Sequence, residues 1–177
     1  DFTSLKGYDI SLFIASIPFK GRSIPIFVKV FMKKDLDEVK YLSKNTFIKG
    51  CIEELLEILP FKPIIIADRE FATSFVFDIF QRYKISFIVR LKKNLVIVFA
   101  NGKKKHLRDL EPGKYYGWIK DKWMIVSVRE NKKDKADPWI LGYSHEFVNR
   151  NSLHMAQIYL KRSQCEQMHR ELKSRLN

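Results

Sequence analysis

A strand–helix–strand pattern in the middle of the chain constrains its fold more than any other feature. Residues 63–67 and 86–89 form two short, continuous apolar runs, a pattern typical of parallel strands that are buried on both faces. Residues 70–83 between the runs favour a helix. Parallel strands joined through a helix are the building unit of α/β proteins. We therefore expect an α/β fold.

The segment before this pattern adds a predicted hairpin and a further helix. Residues 11–17 and 24–31 are rich in β-branched and aromatic side chains and are joined by a turn that contains Pro and Gly. Asn45 or Thr46 can cap a helix that ends just before Pro60. The predicted order up to this point is strand, strand, helix, strand, helix, strand.

Residues 95–143 have a different character. They contain repeated short strands separated by turn signals such as Asn101-Gly102. All three tryptophans of the chain lie here: Trp118, Trp123 and Trp139. This pattern indicates a β-rich insertion that precedes the last helix.

The 177 residues are enough for one domain of ordinary size with an inserted lobe. We predict that it has a core over residues 1–92, the β-rich insertion over residues 93–145 and the last helix of the core over residues 146–177. Because the chain begins at Asp1 without a methionine, we expect it to be a piece of a longer protein.

The charge balance is strongly basic. Lys and Arg number 33 against 20 Asp and Glu, which gives a net charge of +13 and favours a polyanionic partner. A generally Lys-rich composition would give the same balance, and charge alone does not separate DNA, RNA and a membrane surface. No apolar run reaches the roughly 18 residues of a membrane span. The two cysteines and four scattered histidines indicate neither a disulfide framework nor a zinc site.

The last segment carries the spacing Y-x2-R-x3-E-x6-K, formed by Tyr159, Arg162, Glu166 and Lys173. On one helix, these four side chains share an arc of about 60°. A second, apolar stripe lies beside this arc and would face the core; it consists of Ile158, Cys165, Met168, Leu172 and Leu176. The polar arc fits a metal-binding carboxylate beside a phosphate backbone. The alternative is a solvated helix face with i,i+4 ion pairs.

Three carboxylates form a pattern that suits divalent metal ions. Asp68 follows a predicted buried strand, where α/β sheets form ligand sites, although a turn residue also explains an Asp there. Asp1 is followed by Phe-Thr-Ser, which could end a truncated strand, and Glu166 lies on the last helix. Three hard oxygen ligands without His or Cys favour Mg²⁺ or Mn²⁺. Two such ions about 4 Å apart support phosphodiester chemistry.

The chain resembles the DDE transposases of bacterial insertion sequences, in the branch that has a β-strand insertion before the glutamate. The resemblance is carried by Asp-x-Thr-Ser at residues 1–4, Ala-Asp-Arg-x-Phe at residues 67–71, and Y-x2-R-x3-E-x6-K at the end. Two positions depart from the family pattern: Ser163 stands where a tryptophan is common, and Glu70 where a glycine is common. Glu70 would add negative charge near the predicted metals.

The resemblance implies a ribonuclease H-like mixed sheet flanked by helices, and a cut-and-paste enzyme that cleaves double-stranded transposon ends and transfers them to target DNA. Asp1, Asp68 and Glu166 would bind two Mg²⁺ or Mn²⁺ ions. Further residues would contact DNA: Tyr159, Arg162, Lys173, Arg170 and Arg69. The resemblance also implies a homodimer in the DNA complex and a bacterial cytoplasmic location.

In this branch a tryptophan of the insertion can hold a flipped base, so Trp118, Trp123 and Trp139 are candidates for that role. The alternative for each is packing in the insertion's own core. Two other functions also fit the sequence: a Mg²⁺-dependent nuclease of the same fold that does not transpose, and an inactive DNA-binding relic of a transposase.

Overall fold

The computed structural model describes residues 2–4, 10–32, 44–131 and 137–176. The chain divides into two compact units. One contains Asp1–Lys62 together with Leu160–Asn177, and the other contains Pro63–Tyr159. The predicted boundary between core and insertion, at residues 92 and 93, lies inside the second unit, and the three-part division of the chain stays a prediction.

The first unit begins with an antiparallel sheet in the order β1 (Phe2–Ser4), β2 (Ile10–Phe19) and β3 (Arg22–Met32). The predicted hairpin is confirmed. Its turn residues Lys20 and Gly21 have φ values of 46° and 79°, the left-handed conformation that a two-residue hairpin turn requires.

Helix α1 (Lys44–Ile58) follows, which confirms the helix predicted before Pro60. The predicted cap is wrong, because Asn45 and Thr46 lie within the first turn of the helix. It packs on the sheet through Phe47, whose ring centroid is 4.4 Å from that of Phe31, and through an ion pair between Glu54 and Lys29. Cys51 of this helix is fully buried. Burial raises the pKa of the Cys51 thiol from 9.0 to about 12, so the thiol stays protonated at neutral pH.

The second unit contains a mixed sheet of seven strands. Strands β4 (Ile64–Ala67) and β5 (Ser86–Arg90) pair in parallel, with Ile66 opposite Ile88, as the apolar runs predicted. Burial on both faces is confirmed for β5, whereas β4 is buried only at Ala67. The fold is therefore α/β, as expected.

The helix between these strands is shorter than predicted. Helix α2 spans Ser74–Arg82, whereas residues 70–83 were expected to be helical. Thr73 is its N-cap, with a hydroxyl that accepts a hydrogen bond from the Val76 amide at 3.2 Å. Arg69–Phe71 form a separate 3-10 turn. The cap at Thr73 stops the helix from extending further toward its N-terminus.

The remaining strands extend the same sheet by antiparallel pairing. The strand order is β4-β5-β10-β9-β8-β6-β7. The five added strands are β6 (Val96–Val98), β7 (Lys104–His106), β8 (Gly113–Ile119), β9 (Lys122–Arg129) and β10 (Trp139–Tyr143). The predicted β-rich segment is thus a continuation of the sheet that holds the parallel pair.

Helices cover both faces of this sheet. On one face, Phe77 and Phe80 of α2 contact Phe87, with ring centroids 5.6 and 5.2 Å apart. On the other face, helix α3 (Ser152–Leu160) packs on Ile88, Ile125, Leu141 and Tyr143 through Met155, Ala156 and Tyr159. Neighbouring residues Phe87 and Ile88 point to opposite faces, as strand geometry requires. The two helices fix the sheet from both sides.

The single helix predicted across residues 159–173 is wrong, because the chain turns at Lys161. Helix α3 ends at Leu160, and helix α4 spans Arg162–Leu176. The Ser163 hydroxyl donates a hydrogen bond to the Leu160 carbonyl at 2.7 Å. The backbone amide of Gln164, which in a continuous helix would also bond to Leu160, donates to the Lys161 carbonyl at 3.2 Å. Within the first unit, α4 packs on β2 and β3.

Candidate functional site

Asp68 directly follows β4, at the carboxyl end of the parallel pair. Its half-buried side chain accepts a hydrogen bond from the Arg69 backbone amide at 2.6 Å and caps the 3-10 turn. The backbone is fixed further by a bond from the Phe71 amide to the Asp68 carbonyl at 3.0 Å. Asp68 is therefore a turn residue, and the same turn fixes its position at the sheet edge where α/β proteins form ligand sites.

A cluster of three charged side chains lies at this edge. Arg90 ends β5, and its Nη2 donates to Asp137 Oδ2 at 2.6 Å. Nη2 of Arg69 lies 3.8 Å from the same oxygen. Sequence analysis named Arg69 but missed Arg90 and Asp137. Arg90 could have been predicted, because it ends the second of the two parallel strands. The polar loop that contains Asp137 offered no pattern that would place this residue at the same edge.

Arg162 and Glu166 are joined by an ion pair across one turn of α4, with Nη1 of Arg162 2.6 Å from Oε1 of Glu166. The Arg162 side chain is only 10% exposed, whereas that of Glu166 is 54% exposed. The Arg162 guanidinium is therefore held in place, and the Glu166 carboxylate with which it pairs stays accessible to solvent. The i,i+4 pairing that the sequence left as an alternative is present.

The convergence of the three predicted metal ligands stays a prediction. Asp1 lies outside the described residues, and Asp68 and Glu166 belong to different compact units. Within the described part of the chain, no group of three or more His, Cys, Asp and Glu side chains is placed to hold a metal ion. Asp68 and Glu166 offer the hard oxygen donors that Mg²⁺ and Mn²⁺ prefer, so their chemistry fits these ions.

The other predicted DNA contacts differ in their surroundings. Tyr159 is buried on α3, and its ring contacts Trp139 at 6.1 Å between centroids; it is therefore on a different helix from Glu166. Arg170 is exposed on α4. Lys173 belongs to α4, but its side chain is not among those described.

The inward side of α4 agrees with the predicted apolar stripe where it is described. Cys165 and Met168 are half-buried. His169, which sequence analysis did not place on this face, is buried, with Nε2 3.6 Å from Sγ of Cys165. The side chains of Leu172 and Leu176 lie outside the described set.

The three tryptophans fall into two classes. Trp118 on β8 lies directly opposite Trp123 on β9, with ring centroids 4.4 Å apart. Trp118 is 38% exposed and Trp123 is 41% exposed. Trp139 is instead half-buried against the core beneath α3. Packing therefore accounts for Trp139, while the other two present ring surface to solvent.

A cationic side chain lies on the same face as the exposed tryptophans. Val98 pairs with Trp118 on one side and with Lys104 on the other, and directly opposed residues point to the same face of a sheet. Lys104 is exposed, as is Lys103 in the adjacent turn. This end of the sheet therefore combines aromatic and basic groups.

None of the protein-family models and none of the curated proteins matches this chain. Among the described residues, no helix is long and apolar enough to cross a membrane.

Proposed function

We propose that this chain is the catalytic domain of a DDE transposase with a ribonuclease H-like fold. Its activity would be hydrolysis of phosphodiester bonds at transposon ends, followed by strand transfer to target DNA. The observation that carries the proposal is the position of Asp68 at the carboxyl end of the parallel strands. Glu166 supports it, because its carboxylate stays 54% exposed although Arg162 pairs with it.

The acidic residues have a common role in this proposal. Asp1, Asp68 and Glu166 would hold two Mg²⁺ or Mn²⁺ ions, which when bound would activate the attacking oxygen and stabilise the leaving one. The ion pair with Arg162 offsets the charge of Glu166 and limits its rotamers, so the carboxylate is oriented before any metal arrives.

The cationic residues would bind the non-bridging oxygens of the DNA backbone. Arg170 and Lys173 share helix α4 with Glu166, and Arg69 follows Asp68. Arg162 lies on the same helix but is only 10% exposed and paired with Glu166, so it would reach a phosphate only by releasing that carboxylate. Arginine suits this role because its planar fork matches phosphate geometry. The partners would be the double-stranded transposon ends and target DNA, bound by a homodimer.

A flipped base would stack on the exposed pair Trp118 and Trp123 rather than on Trp139. Their ring faces are accessible, and stacking on an aromatic face stabilises an unpaired base by about 1–3 kcal/mol. Tyr159 is buried and packs on Trp139, so it would support the site by packing rather than by a direct contact with DNA.

The test is cleavage of a plasmid that carries the DNA flanking the gene on both sides, with terminal inverted repeats identified by sequencing. We expect cleavage with Mg²⁺ or Mn²⁺ and none with Ca²⁺, which accepts the same oxygens with looser geometry. Glu166→Gln and Asp68→Asn should each lower the rate by more than about 100-fold while DNA binding persists.

The matched control is Asp121→Asn, which changes an exposed aspartate in the β8–β9 turn and should leave the rate unchanged. Full cleavage in a metal chelator would contradict the proposed chemistry. Cleavage without joined strand-transfer products would instead identify a nuclease that does not transpose, and metal-independent binding without any cleavage would identify an inactive relic.

A further inference from the structure

The cluster of Arg69, Arg90 and Asp137 has features of an anion-binding site. Two guanidinium groups approach one carboxylate oxygen, at 2.6 and 3.8 Å. The three side chains comprise two cations and one anion, and the Asp68 carboxylate adds a second anion at the same edge. The Arg90 side chain is 20% exposed, so it is held in place, whereas Asp137 at 36% and Arg69 at 45% are more accessible to solvent.

The position of the cluster matters as much as its charge. Because β4 and β5 are parallel, the residues that follow Ala67 and Val89 meet at one edge of the sheet, and Asp137 reaches that edge just before β10. Partly exposed ion pairs of this kind add little to stability, so the fold gains little from assembling three charges here. A ligand that matches two guanidinium groups gains much more.

From this we infer that Arg69 and Arg90 form a subsite for one DNA phosphate, and that Asp137 occupies the subsite when DNA is absent. A carboxylate oxygen and a non-bridging phosphate oxygen accept the same hydrogen bonds from a guanidinium. Binding of DNA would exchange Asp137 Oδ2 for a phosphate oxygen, without making or breaking a covalent bond. The inference rests on the proposed function in taking DNA as the ligand.

Asp137 would then act as an internal competitor. Its charge keeps the two arginines paired before DNA binds, and it opposes the approach of a phosphate afterwards. Removing that charge should therefore strengthen DNA binding, although it removes a contact that the folded protein makes. A purely structural role for Asp137 predicts the opposite sign.

The experiment measures the affinity of a short duplex by fluorescence anisotropy, in chelator and over a range of salt concentrations. Asp137→Asn, which keeps the shape, should bind about fivefold more tightly. Arg90→Ala should bind about tenfold more weakly and lower the slope of log K against log salt by about one. Arg90→Lys keeps the charge without the fork and should recover the slope better than the affinity.

The exposed pair Arg108–Asp109, 3.7 Å apart at the other end of the sheet, supplies the matched control. Asp109→Asn removes the same charge and should change the affinity much less than Asp137→Asn. Melting temperatures establish that each variant is folded. Weaker binding by folded Asp137→Asn, or equal effects of Asp137→Asn and Asp109→Asn, would overturn the inference.

Two further readouts separate this inference from the proposed function. Addition of inorganic phosphate, and separately of the duplex, should shift the side-chain Nε resonance of Arg90 in ¹⁵N NMR spectra; a shift with free phosphate alone would mean that the subsite does not take DNA. Cleavage by the wild type together with unaltered DNA binding by Arg90→Ala would refute the subsite and leave the transposase proposal standing. If Asp137→Asn strengthened DNA binding and Arg90→Ala weakened it, but the wild type cleaved no DNA, the subsite would be supported and the transposase proposal refuted.

Discussion

The two ends of the seven-stranded sheet carry different side chains: charged groups at the ends of the parallel strands, and aromatic groups with a lysine on the face of the antiparallel strands. At the parallel end, charged groups meet at the edge of the sheet, where β4 and β5 both finish: Asp68, Arg69 and Arg90. At the antiparallel end, Trp118, Trp123 and Lys104 lie on the face of the sheet, placed there by cross-strand pairing. Parallel strands gather chain ends, whereas antiparallel strands align alternate side chains.

The charged groups and the aromatic groups are also held in place in different ways. Residues at a strand end are followed by turns and can be fixed by the backbone, as Asp68 is by the Arg69 amide. Residues on an open face are fixed only by their neighbours, as Trp118 is by Trp123. The parallel end therefore positions charged groups through the backbone, and the antiparallel end holds aromatic groups through side-chain packing.

The largest expected effect is a difference in stability between variants of a packed tryptophan and of an exposed one. Trp139→Ala removes a side chain that packs against the core beneath α3 and should lower the free energy of unfolding by about 3 kcal/mol. Trp118→Ala should cost only about 1 kcal/mol, because its ring is partly exposed. Urea denaturation measures both, and equal losses would mean that the aromatic face is part of the core.

A smaller effect tests the close approach of strands at the antiparallel end. A Cβ added at Gly117 would lie 2.6 Å from the Val98 carbonyl oxygen and 2.7 Å from Cγ1 of Ile97, so Gly117→Ala should destabilise the fold by about 1–3 kcal/mol. Gly50, in α1, has nothing within 4 Å of such a Cβ. Gly50→Ala should stabilise it by about 0.5–1 kcal/mol. If both variants melted alike, the strand register at Gly117 would be in doubt.

The smallest effect is a change in the salt dependence of DNA affinity, which should be larger for cationic residues on the helix of Glu166 than for a distant lysine. Arg162→Ala and Lys173→Ala should each lower the slope of log K against log salt by about one, because both residues share α4 with Glu166. Lys103→Ala removes an equal charge from an exposed turn at the antiparallel end and should change the slope less. Equal losses in anisotropy titrations would mean that all three act as a diffuse field.

Local patterns predicted much of the fold. The hairpin, helix α1 and the parallel pair follow from short-range composition, and each is confirmed. Two of the errors arose at hydroxyl side chains. Thr73 capped a helix that was expected to begin earlier, and Ser163 bonded to the Leu160 carbonyl where an unbroken helix was expected. Such side-chain bonds to the backbone compete with helix propensity.

The candidate site was less accessible to sequence reasoning. Arg162 and Glu166 could be paired in advance because a helix brings residues four apart together. Arg90 and Asp137 are separated by 47 residues, and only the sheet brings them to one edge. Contacts of that range depend on strand order, which no local pattern of this chain specifies.

The proposal that Asp68 and Glu166 would bind the same metal ions can be tested directly by affinity cleavage. Fe²⁺ replaces Mg²⁺, ascorbate and hydrogen peroxide generate radicals at the bound ion, and mass spectrometry locates the backbone cuts. The account predicts cuts beside both Asp68 and Glu166 that excess Mg²⁺ suppresses, and loss of both sets in Asp68→Asn. Cuts beside only one of these residues, or cuts at Glu166 that persist in Asp68→Asn, would contradict it.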